Sequence, residues 1–96
     1  MKHHIIVKFN PDVTAEKKAG FVPKIEALFG NTVSIEGVHA VSVLKNCIDR
    51  DNRFDIMIVI EMEKDALPLY DECVWHKQWK SEYSQYIDKK AIFDCE

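Results

Sequence analysis

The chain lacks most of the devices that small proteins use to compensate for a thin core. Its three cysteines, Cys47, Cys73 and Cys95, are odd in number and widely spaced, with no CxxC pair. That argues against a disulfide framework and against a structural zinc, and it fits reduced thiols in a cytoplasmic protein. Basic clusters are missing too. The 13 Lys and Arg are scattered among 16 Asp and Glu for a net charge of −3, so the footprint of a nucleic-acid binder is absent. No apolar run approaches the ~18 residues of a membrane span. The N-terminus Met1-Lys2-His3-His4-Ile5-Ile6-Val7-Lys8 has too short an apolar core for a signal peptide. Repeats and low-complexity segments are also absent.

What is present is apolar material, 47% of 96 residues. The length sets a single domain, residues 1–96. A chain this size buries only about 60–65% of its unfolded surface. Pairing with a second copy is a natural use for so large an apolar supply.

His3–Phe9 is a β-branched run closed by the turn cluster Asn10-Pro11-Asp12, and predicts a first strand. Thr14 can cap a helix reaching about Phe29, with Val22, Ile25, Ala27, Leu28 and Phe29 on its buried side. Gly20 and Pro23 lie inside it, so a bend or break is expected near Ala19–Pro23. Gly30-Asn31 is expected to end it in the left-handed conformation. Val38–Leu44 predicts a second strand, followed by a polar loop from Asn46 to Arg53. Phe54–Glu63 predicts a third. Its residues Phe54, Ile56, Ile58, Ile60 and Met62 share one face, yet Met57 and Val59 make the other apolar as well, so both faces should be covered. Lys64 to about Tyr86 reads as a helix with Pro68 in its first turn, and Ala91–Cys95 as a last strand. The order β-α-β-β-α-β is that of an α+β, ferredoxin-like βαββαβ fold, with a four-stranded antiparallel sheet and both helices on one face. The other face then needs a partner, and the sheet of a second subunit is the simplest one.

Reactive side chains concentrate in one stretch, Leu69-Tyr70-Asp71-Glu72-Cys73-Val74-Trp75-His76-Lys77-Gln78-Trp79. His76 is a candidate general base for an α-proton of a carbonyl compound, and Tyr70 a candidate donor to the developing enolate. The plainer alternatives are a surface histidine packing on Trp79 or bonding a backbone carbonyl, and a tyrosine that belongs to the core. Side chains six apart do not share a helix face, so the two converge only if the helix bends or breaks between them. His3 points with Ile5 and Val7, and its alternative is a strand-end surface position. Trp75 and Trp79 are expected in the core, and Cys73 as a buried, inert thiol. The four histidines have no metal-ligand spacing, and no cofactor is expected.

The punctuation of the chain resembles the stress-responsive A/B barrel (Dabb) family over almost its whole length. The residues that carry the resemblance are Lys2-His3-His4-Ile5-Ile6-Val7-Lys8-Phe9, Pro11-Asp12-Val13-Thr14, Ile35-Glu36-Gly37-Val38, Asp55-Ile56-Met57-Ile58-Val59-Ile60-Glu61 and Ile92-Phe93-Asp94. The family's motif of tyrosine, two residues, then histidine-proline-x-histidine stands here with Tyr70 and His76 in register, and with Cys73 and Val74 in place of the first histidine and the proline. The resemblance implies a homodimer forming a dimeric α/β barrel, with a pocket between sheet and helices for a small apolar or carbonyl ligand. One plant member is a polyketide cyclase whose histidine base and tyrosine map onto His76 and Tyr70, with a pocket histidine at His3. A role in stress responses is implied for some members, and no reaction for most.

Two rival readings accompany this one. The neighbouring antibiotic-biosynthesis and haem-degrading monooxygenases share the fold and can use a helix histidine as haem ligand, which Trp75-His76 fits, although Asn10 lies only at the end of the first strand. A non-enzymatic dimerisation or stress-protective module with a filled interior is the other, and an interior without a cavity beside His76 would favour it.

Overall fold

A computed structural model describes all 96 residues. The elements run β1 Lys2–Phe9, α1 Ala15–Gly30, β2 Val38–Lys45, β3 Ile56–Met62, α2 Leu67–Glu72, α3 Val74–Tyr83 and β4 Ile87–Cys95, with single 3-10 turns at Asn31–Ser34, Lys64–Ala66 and Ser84–Tyr86. The strands form one antiparallel sheet in the order β2-β3-β1-β4, so the first and last strands of the chain are neighbours. This is the ferredoxin-like α+β arrangement, with the second helix divided into α2 and α3.

Alternation sets the two faces. His3, Ile5, Val7 and Phe9 of β1 and Ile56, Ile58, Ile60 and Met62 of β3 are all buried against the helices. They meet Phe21, Val22, Ile25, Leu28 and Phe29 of α1 and Trp79 and Tyr83 of α3. Each fully buried aliphatic here stabilises the fold by roughly 1.5–3 kcal/mol. The opposite face carries Ile6, Leu44, Met57, Val59, Ala91 and Phe93, and within one protomer nothing covers it; Phe93 is 60% exposed. The second apolar face of β3 is thus present and open. No helix of the chain is long and apolar enough to cross a membrane.

The expected start of α1 holds at named atoms. Thr14 Oγ1 accepts from the Lys17 amide at 3.1 Å and starts α1. Asp55 joins the end of β1 to the start of β3: one carboxylate oxygen accepts from the Phe9 amide at 2.8 Å and the other from Lys18 Nζ at 3.1 Å. Others are corrected. α1 passes through Pro23 without a break. Pro23 and Ala19, whose carbonyl loses its amide donor, are both exposed, so that carbonyl is open to water. Its end is not left-handed either. Asn31 stays right-handed, its backbone amide and side chain satisfy the Ala27, Leu28 and Phe29 carbonyls, and the chain winds on into a 3-10 turn. The positive-φ position is Gly37, at +88°, where an added Cβ would lie 2.9 Å from Ala66 Cβ. β3 begins two residues later than expected, at Ile56, and β4 starts at Ile87 because it pairs along the whole of β1.

Candidate active site

The expected single helix from Lys64 to Tyr86 is broken at Cys73, whose φ of −70° and ψ of 156° are extended. Cys73 serves both halves. Its amide closes the last turn of α2 on the Tyr70 carbonyl at 3.1 Å, and its Sγ accepts from the His76 amide at 3.3 Å as the cap of α3. The thiol does what a serine hydroxyl does at a helix start, so it is half-buried and structural rather than a buried inert group. In an unbroken helix, residues six apart point about 120° away from each other. The break reorients α3 and brings the Tyr70 and His76 rings to 4.8 Å between centroids.

The proline that the Dabb motif has at position 74 is therefore not needed for the break, yet the site still suits it. Val74 is the first residue of α3 and is exposed, and Cys73 before it already has the extended backbone that a following proline requires. Val74→Pro is expected to raise stability by about 0.4–1 kcal/mol through the unfolded chain, read as a higher midpoint in denaturant unfolding.

His3 reaches the same place from β1. Its ring lies 5.4 Å from that of Tyr70, edge to face, and is only 6% exposed. Its Nδ1 donates to Asp94 Oδ1 at 2.5 Å, across the β1–β4 register that pairs these two residues. So His3, Tyr70 and His76 come together, and they line one cleft of about 330 Å³ with Ile5, Leu67, Asp71, Trp79, Lys80, Lys90, Ile92 and Asp94. The size is at the lower end of small-molecule sites. Ile92 is 51% exposed on the helix-side face of β4, where it pairs with Ile5 of β1. It adds an open apolar surface to the cleft that Trp79 also lines.

Electrostatics divide the roles of the two aromatic groups. His76 Nδ1 donates to the Asp71 carbonyl at 3.0 Å, which fixes the proton there and leaves Nε2 unprotonated. Partial burial, more than any other influence, holds its pKa below the ordinary histidine value, and the charges of Lys80 and Lys90 push the same way. His76 is thus a neutral imidazole with an available lone pair at pH 7. Tyr70 is 1% exposed, and burial, then the neighbouring Cys73 and Asp71, hold its phenol far above the usual range. It remains a donor at every physiological pH. Its hydroxyl is the one buried side-chain polar atom of the chain without a hydrogen-bond partner, a defect that costs a fold about 1–3 kcal/mol.

Both plain alternatives for these residues are therefore half right: His76 does bond a backbone carbonyl and Tyr70 is a core residue, and both line the cleft. Trp79 is buried while Trp75 is only half-buried. Asn10 is not part of the cleft. It sits at the other end of β1 from His3, roughly 23 Å away by strand rise, and its side chain donates to the Gln85 carbonyl. No group of three or more histidine, cysteine or acidic side chains gathers to hold a metal ion. A single-chain reading misses Asp94 as the partner of His3, together with Lys80, Lys90 and Ile92. The signal that could have found Asp94 is the topology: a ferredoxin-like order places the first and last strands side by side.

Comparison with known proteins agrees with this architecture. The sequence model of one family, the stress responsive A/B barrel domain, matches residues 1–96. None of the curated proteins compared with the chain matches it. Among solved structures, a dimeric protein of unknown function and ferredoxin-like fold from Bacteroides fragilis superposes with a TM-score of 0.82 at 18% identity, covering 99% of this chain and 93% of that one. A Dabb family protein from Mesorhizobium loti gives 0.76 at 11% identity, covering 99% and 93%. A protein from Nitrosomonas europaea named for antibiotic biosynthesis monooxygenases gives 0.68 at 12%, covering 98% and 88%. At these identities the likenesses establish the fold.

Proposed function

Because the chain belongs to the stress-responsive A/B barrel domain family, we propose that it works as a homodimer in which each protomer binds a small carbonyl compound and moves one of its protons. The observation that carries this reading is that Tyr70, whose buried hydroxyl has no partner in the protein, and a neutral His76 border one cleft. A carbonyl oxygen seated there supplies the partner that the phenol lacks. His76 Nε2 takes the α-proton, the C–H electron pair becomes the enolate, and the phenol stabilises the oxygen as its charge grows. An enolate that regains its proton at another carbon has been isomerised. One that attacks a second carbonyl of the same molecule has been cyclised. His3, held by Asp94, borders the same space as a second imidazole.

The test needs no physiological substrate. In D2O, 2-butanone should lose its α-proton NMR signals faster with the protein than in buffer alone. Equal rates at saturating ketone would sink the proposal. A monooxygenase reading draws on the name of the Nitrosomonas neighbour, and the cleft offers it only His76, Asn10 being elsewhere. A purely structural module with a filled interior is disfavoured by the cleft itself. Any tie to stress responses rests on the family's description, and three free thiols fit the reducing cytoplasm.

The homodimer is supported by the uncovered apolar face, with Phe93 and Leu44 exposed, and by a neighbour described as dimeric. Sedimentation velocity at micromolar concentration should give the mass of a dimer, and Phe93→Lys the mass of a monomer; a monomeric wild type would exclude it.

A further inference from the structure

Two cleft residues take no part in the chemistry just described. Lys80, on α3, and Lys90, on β4, both line the cleft. Neither has an ion-pair partner, the four ion pairs of the chain being His3–Asp94, Lys18–Asp55, His39–Glu63 and Lys64–Glu96. Two acidic groups line the same cleft, Asp94, which accepts from His3, and Asp71, on α2. Both lysines line the same cleft as His76. Both are exposed lysines, and they come from different elements to border one concave space together with the apolar residues Ile5, Leu67, Trp79 and Ile92.

We infer that the cleft is built for a carbonyl compound that also carries a carboxylate, the anion seated between Lys80 and Lys90 and the carbonyl turned toward Tyr70. This deepens the proton-transfer reading and rests on it for the place of the carbonyl, but the anion seat has its own signature. Lysine pairs act as point charges, so the seat demands negative charge more than a particular shape. It also gives His76 a reason to stay neutral. A protonated imidazole would compete with the lysines for the anion and could not accept the α-proton.

The probes are levulinate, a stable oxo acid, and its uncharged methyl ester, titrated while the ring signals of His76 are followed by NMR. Levulinate should bind about tenfold more tightly than the ester, as two partly exposed charge contacts allow. The Lys80→Gln/Lys90→Gln variant should bring levulinate down to the affinity of the ester and leave the ester unchanged. Equal binding of acid and ester, or a double variant that keeps its preference for the acid, overturns the anion seat while leaving proton transfer intact. Selective levulinate binding without deuterium exchange in either probe keeps the seat and removes the chemistry. If neither probe shifts His76, the cleft takes no such ligand and both fall.

Discussion

Replacing His76 by glutamine is expected to slow deuterium exchange into a bound methyl ketone by about 10²- to 10⁴-fold, the range that a positioned general base contributes. The imidazole is suited to that role by three separate features. The helix break at Cys73 turns it toward Tyr70, the Asp71 carbonyl fixes its tautomer, and burial lowers its pKa so that the neutral form dominates. Glutamine keeps comparable bulk and polar groups but has no lone pair basic enough to take a proton from carbon. Ketone affinity should therefore change little while turnover collapses. The folded protein should also respond differently to acid. The folded pKa lies below the unfolded value of about 6.5, so acidification through that value protonates the unfolded chain first and destabilises the native state. That part of the acid sensitivity should disappear in His76→Gln, as seen by comparing unfolding midpoints at neutral and mildly acidic pH.

Tyr70→Phe should separate activity from stability in opposite directions. Its hydroxyl is buried with no protein partner, so removing it relieves a standing penalty. We expect a gain of about 1 kcal/mol in unfolding free energy, within the range measured for unpaired buried polar groups. Exchange, in contrast, should fall about 10²- to 10³-fold, as when an oxyanion donor is lost elsewhere. A hydroxyl that only packed would give the same gain in stability but leave exchange unchanged. The opposed signs make this variant informative, because general damage to the fold lowers both quantities together.

The sheet was legible in the sequence because its cause is local. Alternating Ile56, Ile58, Ile60 and Met62 with a second apolar set at Met57 and Val59 specifies a strand with two faces to cover, and Thr14 specifies a helix start. The site was only partly legible. Tyr70, His76 and His3 could be named from residue chemistry and the Dabb motif, but their convergence depends on Cys73. Cysteine is not among the usual capping residues, so its thiol taking the place of a hydroxyl has no sequence signal. The same kind of misreading runs the other way at Pro23, where a strong breaker sits in an unbroken helix because the freed carbonyl faces water. Asp94 lies 91 residues from His3, and Lys90 and Ile92 become cleft residues only through the β1–β4 register. Such neighbours follow from topology and not from spacing.

The most direct test of His76 as the proton acceptor is the pH–rate profile of ketone deuteration by the wild-type protein. The rate should rise with pH through a single ionisation below the ordinary histidine value of about 6.5 and then level off, since the deprotonated imidazole is the active form and Tyr70 stays protonated throughout. A profile that is flat through the histidine range, or one whose ionisation persists unchanged in His76→Gln, would contradict it.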